Sequence, residues 1–216
     1  MKTTKKGFTL IELIVVIAII GVLAAILVPT MLGYVRKSKI SSANSAASSV
    51  YKGINSALTE LDEEGVDVGG CWILTWDGKI WAGSDDDLTL SSSALYGNSG
   101  RFDKKVANFF ADIKKIKGGI AAVKDGGCVA FAGNTDKTYT GTYPGGVVTT
   151  DTYSTYKGAD GVKLAIGDAI AVASGTKPNP DKAGKLEVKS GVDDETSFKN
   201  LQTKGKAGTK GEAKGS

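Results

Sequence analysis

From Phe8 to Val28 the chain is apolar for twenty-one residues and carries one charge, Glu12. A helix of that length is about 31 Å long, close to the thickness of a bilayer's hydrocarbon core. After Pro29 the pattern becomes a stripe. Leu32, Val35, Ile40, Ala43, Ala47, Val50, Ile54, Leu58 and Leu61 recur mostly at intervals of three or four, which is helical periodicity. Arg36, Lys37, Lys39, Ser42, Lys52 and Glu60 take the other face. A continuous helix from Phe8 to Leu61 would measure about 81 Å. Its first half is apolar all round; its second half needs a domain to cover the stripe. Pro29 removes one backbone bond and should kink the rod. Gly53 costs about 1 kcal/mol relative to Ala in a helix, which points to close packing there. Asp62-Glu63-Glu64-Gly65 ends the helix, with Gly65 in a terminating position.

Beyond Gly65 the period shortens to that of strands. Cys71–Trp76 and Lys79–Ala82 flank Asp77-Gly78, a hairpin signal because Asp-Gly tolerates the positive φ of a tight turn. All three tryptophans, Trp72, Trp76 and Trp81, lie in this hairpin. They anchor the sheet on a helix or, alternatively, form an aromatic ligand surface for sugars. Residues 83–100 are rich in Ser, Asp and Gly and read as a loop. Arg101–Ile116 reads as a short amphipathic helix. Ile120–Val123 and Cys128–Phe131 form a second hairpin around Lys124-Asp125-Gly126-Gly127. Thr138–Tyr156, broken at Pro144-Gly145-Gly146, suggests two more strands. Val162–Ile166 and Ala169–Ala173, joined by Gly167-Asp168, suggest another pair. Lys177–Asp181 should be extended, and Leu186–Val188 a last short strand. From Lys199 to Ser216 there is almost nothing to bury, and disorder is expected.

Charge and composition narrow the chemistry. The net charge is +4, and the five lysines and one glutamate of residues 199–216 account for all of it. The pI of 8.9 is therefore no sign of a nucleic-acid surface. The chain has no histidine, which removes the commonest general base and metal ligand. No phosphate loop and no Cys-x-x-Cys occur, and nothing nominates a nucleophile. The chain reads as a non-enzyme without a cofactor. Asp85-Asp86-Asp87 is a weak calcium candidate, since consecutive aspartates lack the alternating spacing of calcium loops. Cys71 and Cys128 lie 57 positions apart. A bridge between them, if formed, would contribute roughly 3–4.5 kcal/mol by loop entropy; the alternative is two unpaired buried thiols.

Lys5-Lys6-Gly7-Phe8-Thr9-Leu10-Ile11-Glu12, opening a long apolar helix, resembles the N-terminus of type IV prepilins and secretion pseudopilins. The resemblance covers Lys5 to Pro29 as a motif and extends to about residue 62 as a helical pattern. It implies that a membrane peptidase cuts between Gly7 and Phe8 and that Phe8 is N-methylated. It implies that Glu12 pairs with the N-terminal amine of a neighbouring subunit during assembly. A carboxylate in mid-membrane costs about 2.5–3.5 kcal/mol on insertion scales, less near the end, and an amine would offset it. Gly21 and Pro29 match the family's glycine and proline, between which its helix often loosens in filaments. A cleaved secretory signal has a shorter apolar core of about 7–15 residues. A plain anchor leaves Gly7-Phe8 with Glu12 unexplained.

The expected class is α+β: a long N-terminal transmembrane helix packed on an antiparallel sheet of four to seven strands, with a disordered C-terminal tail. The expected parts are a leader (1–7), a membrane and filament-core helix (8–28), its amphipathic continuation (29–64), a β-rich head (65–198) and the tail (199–216). The resemblance implies a single-span precursor in the plasma membrane that becomes a surface filament. Its implied partners are further copies and other pilins, the prepilin peptidase, the assembly platform and, before assembly, lipid. The alternatives are a minor pilin that binds glycan or DNA and a secretion-system pseudopilin.

Overall fold

The computed structural model describes residues 8–66, 68–69, 71–79, 81–83 and 97–175. The leader, Asp85–Asp87, the strand expected at 186–188 and the tail lie outside them. The chain divides into two compact units, Met1–Ser38 and Lys39–Ser216. Helix α1 (Leu10–Glu63) runs through Pro29. Beside the proline, Thr30 Oγ1 donates to the Leu27 carbonyl at 2.8 Å.

The second unit holds a five-stranded antiparallel sheet in the order β2-β1-β3-β4-β5. The strands are β1 (Cys71–Trp76), β2 (Trp81–Gly83), β3 (Gly118–Lys124), β4 (Gly127–Asn134) and β5 (Thr140–Tyr143). Side-chain alternation gives the sheet two apolar faces. Leu74, Trp76, Ala121 and Phe131 pack with Val50, Ile54, Leu58 and Leu61 of α1 and with Phe102 and Val106 of α2 (Gly97–Phe109). Ile73, Ile120, Ala122, Ala130 and Ala132 pack on the other side with Val162, Ala165, Ile166 and Ala169 of α3 (Gly158–Ala173). A sheet between two helical layers results.

Both expected hairpins form. Trp76 pairs with Trp81 across a four-residue connection rather than a two-residue turn, and Asp77 Oδ1 accepts the Lys79 N–H at 2.7 Å. The β3–β4 turn is the tight one, with Asp125 at φ 49° and Gly126 at φ 77°, as a type I′ turn requires. Val129 is an extra residue in β4, where the register shifts opposite Ala122 and Val123. Next to this bulge the Cys128 N–H donates to Asn55 Oδ1 of α1 at 3.0 Å.

Three expectations need correction. The strands expected at Val162–Ile166 and Ala169–Ala173 are one helix, α3. Its buried Val162, Ala165, Ile166, Ala169 and Ile170 recur at three and four, so helical burial overrides the turn reading of Gly167-Asp168. Asp168 is buried within it and accepts the Tyr156 hydroxyl at 2.6 Å. Thr138–Tyr156 yields one strand, β5. In its second half Thr149 and Thr152 bond each other and nearby backbone, and such local side-chain bonds compete with a ladder. The helix expected over Arg101–Ile116 is α2 followed, after Phe110, by a 3₁₀ turn at Ala111–Lys115.

The acidic end of α1 is resolved by two devices. Gly65 at φ 77° lets Gly65 N–H donate to Asp62 O (2.9 Å) and Val66 N–H to Leu61 O (3.0 Å), the double bond of a Schellman cap. Lys105 of α2 contacts Glu60 and Glu64 at 2.8 Å each. Those carboxylates hold its ammonium above the usual lysine range, and the lysine offsets acids that oppose the helix dipole.

The tightest approach of α1 to the sheet is at Gly141, where an added Cβ would lie 1.9 Å from the Ala43 carbonyl oxygen. Backbone on both sides leaves nothing flexible to yield. Gly141→Ala is therefore expected to lower unfolding stability by about 3 kcal/mol or more. Gly145→Ala meets no atom within 4 Å and should stay within about 0.5 kcal/mol. Urea titration followed by tryptophan fluorescence compares the two.

Candidate functional site

The first unit is built from the residues that the apolar run supplies. Every large apolar side chain from Phe8 to Val35 is exposed, Phe8 at 87% and Ile26 at 65%. The first buried position of α1 is Ile40. The helix is long and apolar enough to cross a membrane, and none of its most apolar window is buried among the described residues. Leu, Ile and Val left in water forgo about 1.5–3 kcal/mol each, so this surface requires an apolar environment from elsewhere. A Cβ added at Gly21 or Gly33 would meet no atom within 4 Å, so both stand open on that surface. Gly7 lies outside the described residues.

At the start of α1, Thr9 and Glu12 form a reciprocal cap. Glu12 N–H donates to Thr9 Oγ1 at 3.3 Å, and Thr9 N–H donates to Glu12 Oε2 at 2.8 Å. Thr9 Oγ1–H also donates to Glu12 Oε2 at 2.6 Å. This is a capping box, in which two backbone N–H groups that no helical carbonyl can reach are satisfied. Both bonds to the carboxylate converge on Oε2. The Thr-x-x-Glu spacing is present in the sequence, where the resemblance points only to an amine as the partner of Glu12. The acid thus has a role within its own chain: it and Thr9 satisfy polar backbone at the mouth of an apolar segment.

The remaining nominated residues separate. Trp76 and Trp81 are buried, their rings 5.4 Å apart, and Trp81 also meets Phe102 and Phe131 edge-on. Trp76 Nε1–H donates to the Ile116 carbonyl at 2.9 Å. These two are core, not an exposed ligand surface, because the hairpin turns them onto α1 and α2; the side chain of Trp72 is not among those described. The Cys128 thiol is free and buried, and it donates to the Ala130 carbonyl at 3.4 Å. Burial pushes its pKa well up. Cys71 and Cys128 sit on β1 and β4 with β3 between them. Two strand spacings are about 9.6 Å, beyond the roughly 7 Å that a disulfide spans. The expected bridge is therefore corrected to a free Cys128. Among the described residues no group of three or more His, Cys, Asp or Glu could hold a metal.

The family signature described as the prokaryotic N-terminal methylation motif matches residues 2–28, the segment that contains the cap and the most apolar part of the exposed helix. The type IV major fimbrial protein FimA of Dichelobacter nodosus is 37% identical over 106 residues, 46% of this chain and 62% of that protein. The fimbrial protein EcpC of Eikenella corrodens is 58% identical over 43 residues, 20% of this chain and 28% of that protein. The type IV major pilin protein PilE1 of Neisseria gonorrhoeae is 47% identical over 60 residues, 28% of this chain and 34% of that protein. The N-terminal segment thus carries the methylation signature and is similar to that of type IV pilins. The matches span less than two thirds of each of these relatives' length. No solved structure matches.

The cap generates a measurable expectation. Thr9→Ala removes one leg of the box, and losses of this kind cost about 0.5–2 kcal/mol. In detergent micelles the amides of residues 10–13 should then exchange with solvent about tenfold faster, while those of β3 and β4 stay unchanged. Exchange followed by NMR on the full chain measures both.

Proposed function

We propose that the protein is the structural subunit of a type IV pilus-like filament. It would be inserted as a single-span precursor, cut between Gly7 and Phe8, N-methylated at Phe8 and polymerised through α1. The observation that carries this reading is the exposure of every large apolar side chain from Phe8 to Val35. Lipid covers such a surface before assembly, and the same surface of other copies covers it afterwards. Gly21 and Gly33 leave room for close helix approach, as small residues do between membrane helices.

Glu12 then has two successive partners. In the lone subunit Oε2 is held by Thr9. Oε1 takes no part in that box and is the oxygen we assign to the Phe8 amine of an adjacent copy. The apolar faces supply cohesion, and the ion pair sets register, which is the better-attested role of buried charge pairs. The prepilin peptidase and an assembly platform in the plasma membrane complete the partners of this scheme. The reading as an adhesive minor pilin loses the support of Trp76 and Trp81, which are core.

Mass spectrometry of the protein from cells that assemble it should find a chain starting at N-methylated Phe8. A chain still starting at Met1 refutes processing. Glu12→Ala should be processed normally yet reduce sheared surface filaments at least tenfold or so, since breaking a buried pair costs about 3–5 kcal/mol. Thr9→Ala loses the cap and keeps the charge, so it should assemble nearly as the parent does. Equal loss in both variants assigns the effect to the cap and refutes the pairing role.

A further inference from the structure

The exposed part of α1 offers two apolar windows of equal length. One is Phe8–Val28, which contains Glu12; the other is Leu13–Gly33, which contains no charge. As helix each is about 31 Å long, and each matches a bilayer's hydrocarbon core. Moving from the first to the second exchanges Phe8, Thr9, Leu10, Ile11 and Glu12 for Pro29, Thr30, Met31, Leu32 and Gly33. One large apolar side chain is given up, and one carboxylate stays outside. On insertion scales a carboxylate outweighs several aliphatic side chains.

The contacts within α1 suit the second window. Thr30 is the only polar side chain from Leu13 to Gly33. Its hydroxyl donates to the Leu27 carbonyl at 2.8 Å, so it takes its own partner into lipid, where water supplies none. It also stands next to Pro29, and a neighbouring hydroxyl is one of the devices by which helices in lipid tolerate proline. Thr9 and Glu12 close the first turn on each other just before the window. Glu12 is exposed there, where water and headgroups reach its second oxygen. Just past the window Tyr34 is 75% exposed, and the exposed Arg36 and Lys37 follow. Tyrosine and basic side chains are the residues that flank a span at the bilayer–water boundary.

We propose that in the unassembled protein the bilayer's hydrocarbon core holds α1 from Leu13 to Gly33. Thr9 and Glu12 lie in the headgroup layer on one side, and Tyr34, Arg36 and Lys37 in the layer on the other. The inference rests on the reading of the chain as a single-span precursor and adds its register in the lipid. Glu12 then leaves the headgroups only when another copy offers its amine, so the carboxylate is never carried unpaired into hydrocarbon.

The test uses the full chain in nanodiscs of phosphatidylcholine and phosphatidylglycerol, with NMR of the backbone amides. A lipid carrying a nitroxide at its chain end broadens amides at the bilayer midplane, and a gadolinium chelate broadens those in water. The nitroxide effect should peak at Leu23, the middle of Leu13–Gly33, and the chelate should reach the Glu12 and Tyr34 amides alike. A peak at Ala18, the middle of Phe8–Val28, with Glu12 shielded from the chelate, overturns the proposal. Glu12→Leu removes the charge that excludes the first window, so its peak should move about two residues or more towards Phe8. A peak that stays at Leu23 in that variant also overturns the proposal, because Glu12 would not set the register. No nitroxide effect anywhere in α1 refutes insertion itself, and with it the reading as a single-span precursor.

Discussion

Everything in this protein depends on an apolar surface that stands exposed among the described residues. From Phe8 to Val35 one face after another of α1 is exposed. From Ile40 on, the same helix carries a narrow stripe that is buried completely at Val50, Ile54, Leu58 and Leu61. A single element therefore has two solvents to satisfy. Its composition changes where the solvent changes, from residues apolar all round to a face of small and branched side chains. Ala43, Ala47 and Ala57 keep α1 close to the sheet, and Gly141 lets β5 come close enough to touch its backbone.

Polar groups at the ends and edges of this arrangement are handled largely by side chains of α1 itself. Thr9 and Glu12 close its first turn. Asn44 accepts the Thr142 N–H from β5 at 3.0 Å, and Asn55 accepts the Cys128 N–H beside the bulge. At the far end Lys105 of α2 answers the acids of the last turn. Without these side chains, backbone groups at a helix end, a sheet edge and a β-bulge would be stranded where desolvation is costly.

Much of this is legible in the chain. A run of apolar residues with one acid, followed by a stripe at three and four, can only be a helix whose surroundings change. Two turns with Asp-Gly mark two hairpins correctly. The failures have a common cause. Val162, Ile166 and Ile170 are β-branched and straddle Gly167-Asp168, so local propensity speaks for strands, while only the sheet's second apolar face reveals that a helix is needed there. The tryptophans are ambiguous for the same reason: an aromatic residue in a hairpin serves a core or a ligand according to what lies over it. The cap is different, since Thr9-x-x-Glu12 is visible throughout. The amine that the resemblance supplies for Glu12 draws attention away from the threonine. The partners of Asn44 and Asn55 are far away in sequence and leave no local trace.

The sheet's margins have a consequence for how the molecule behaves when crowded. One margin is β2, only three residues long, and the other is β5, four residues long with a backbone donor already engaged by Asn44. Exposed margins of greater length template chain-to-chain ladders. Copies of this head at high concentration would meet constantly, and borders so short and partly occupied give them little to zip into cross-β aggregates.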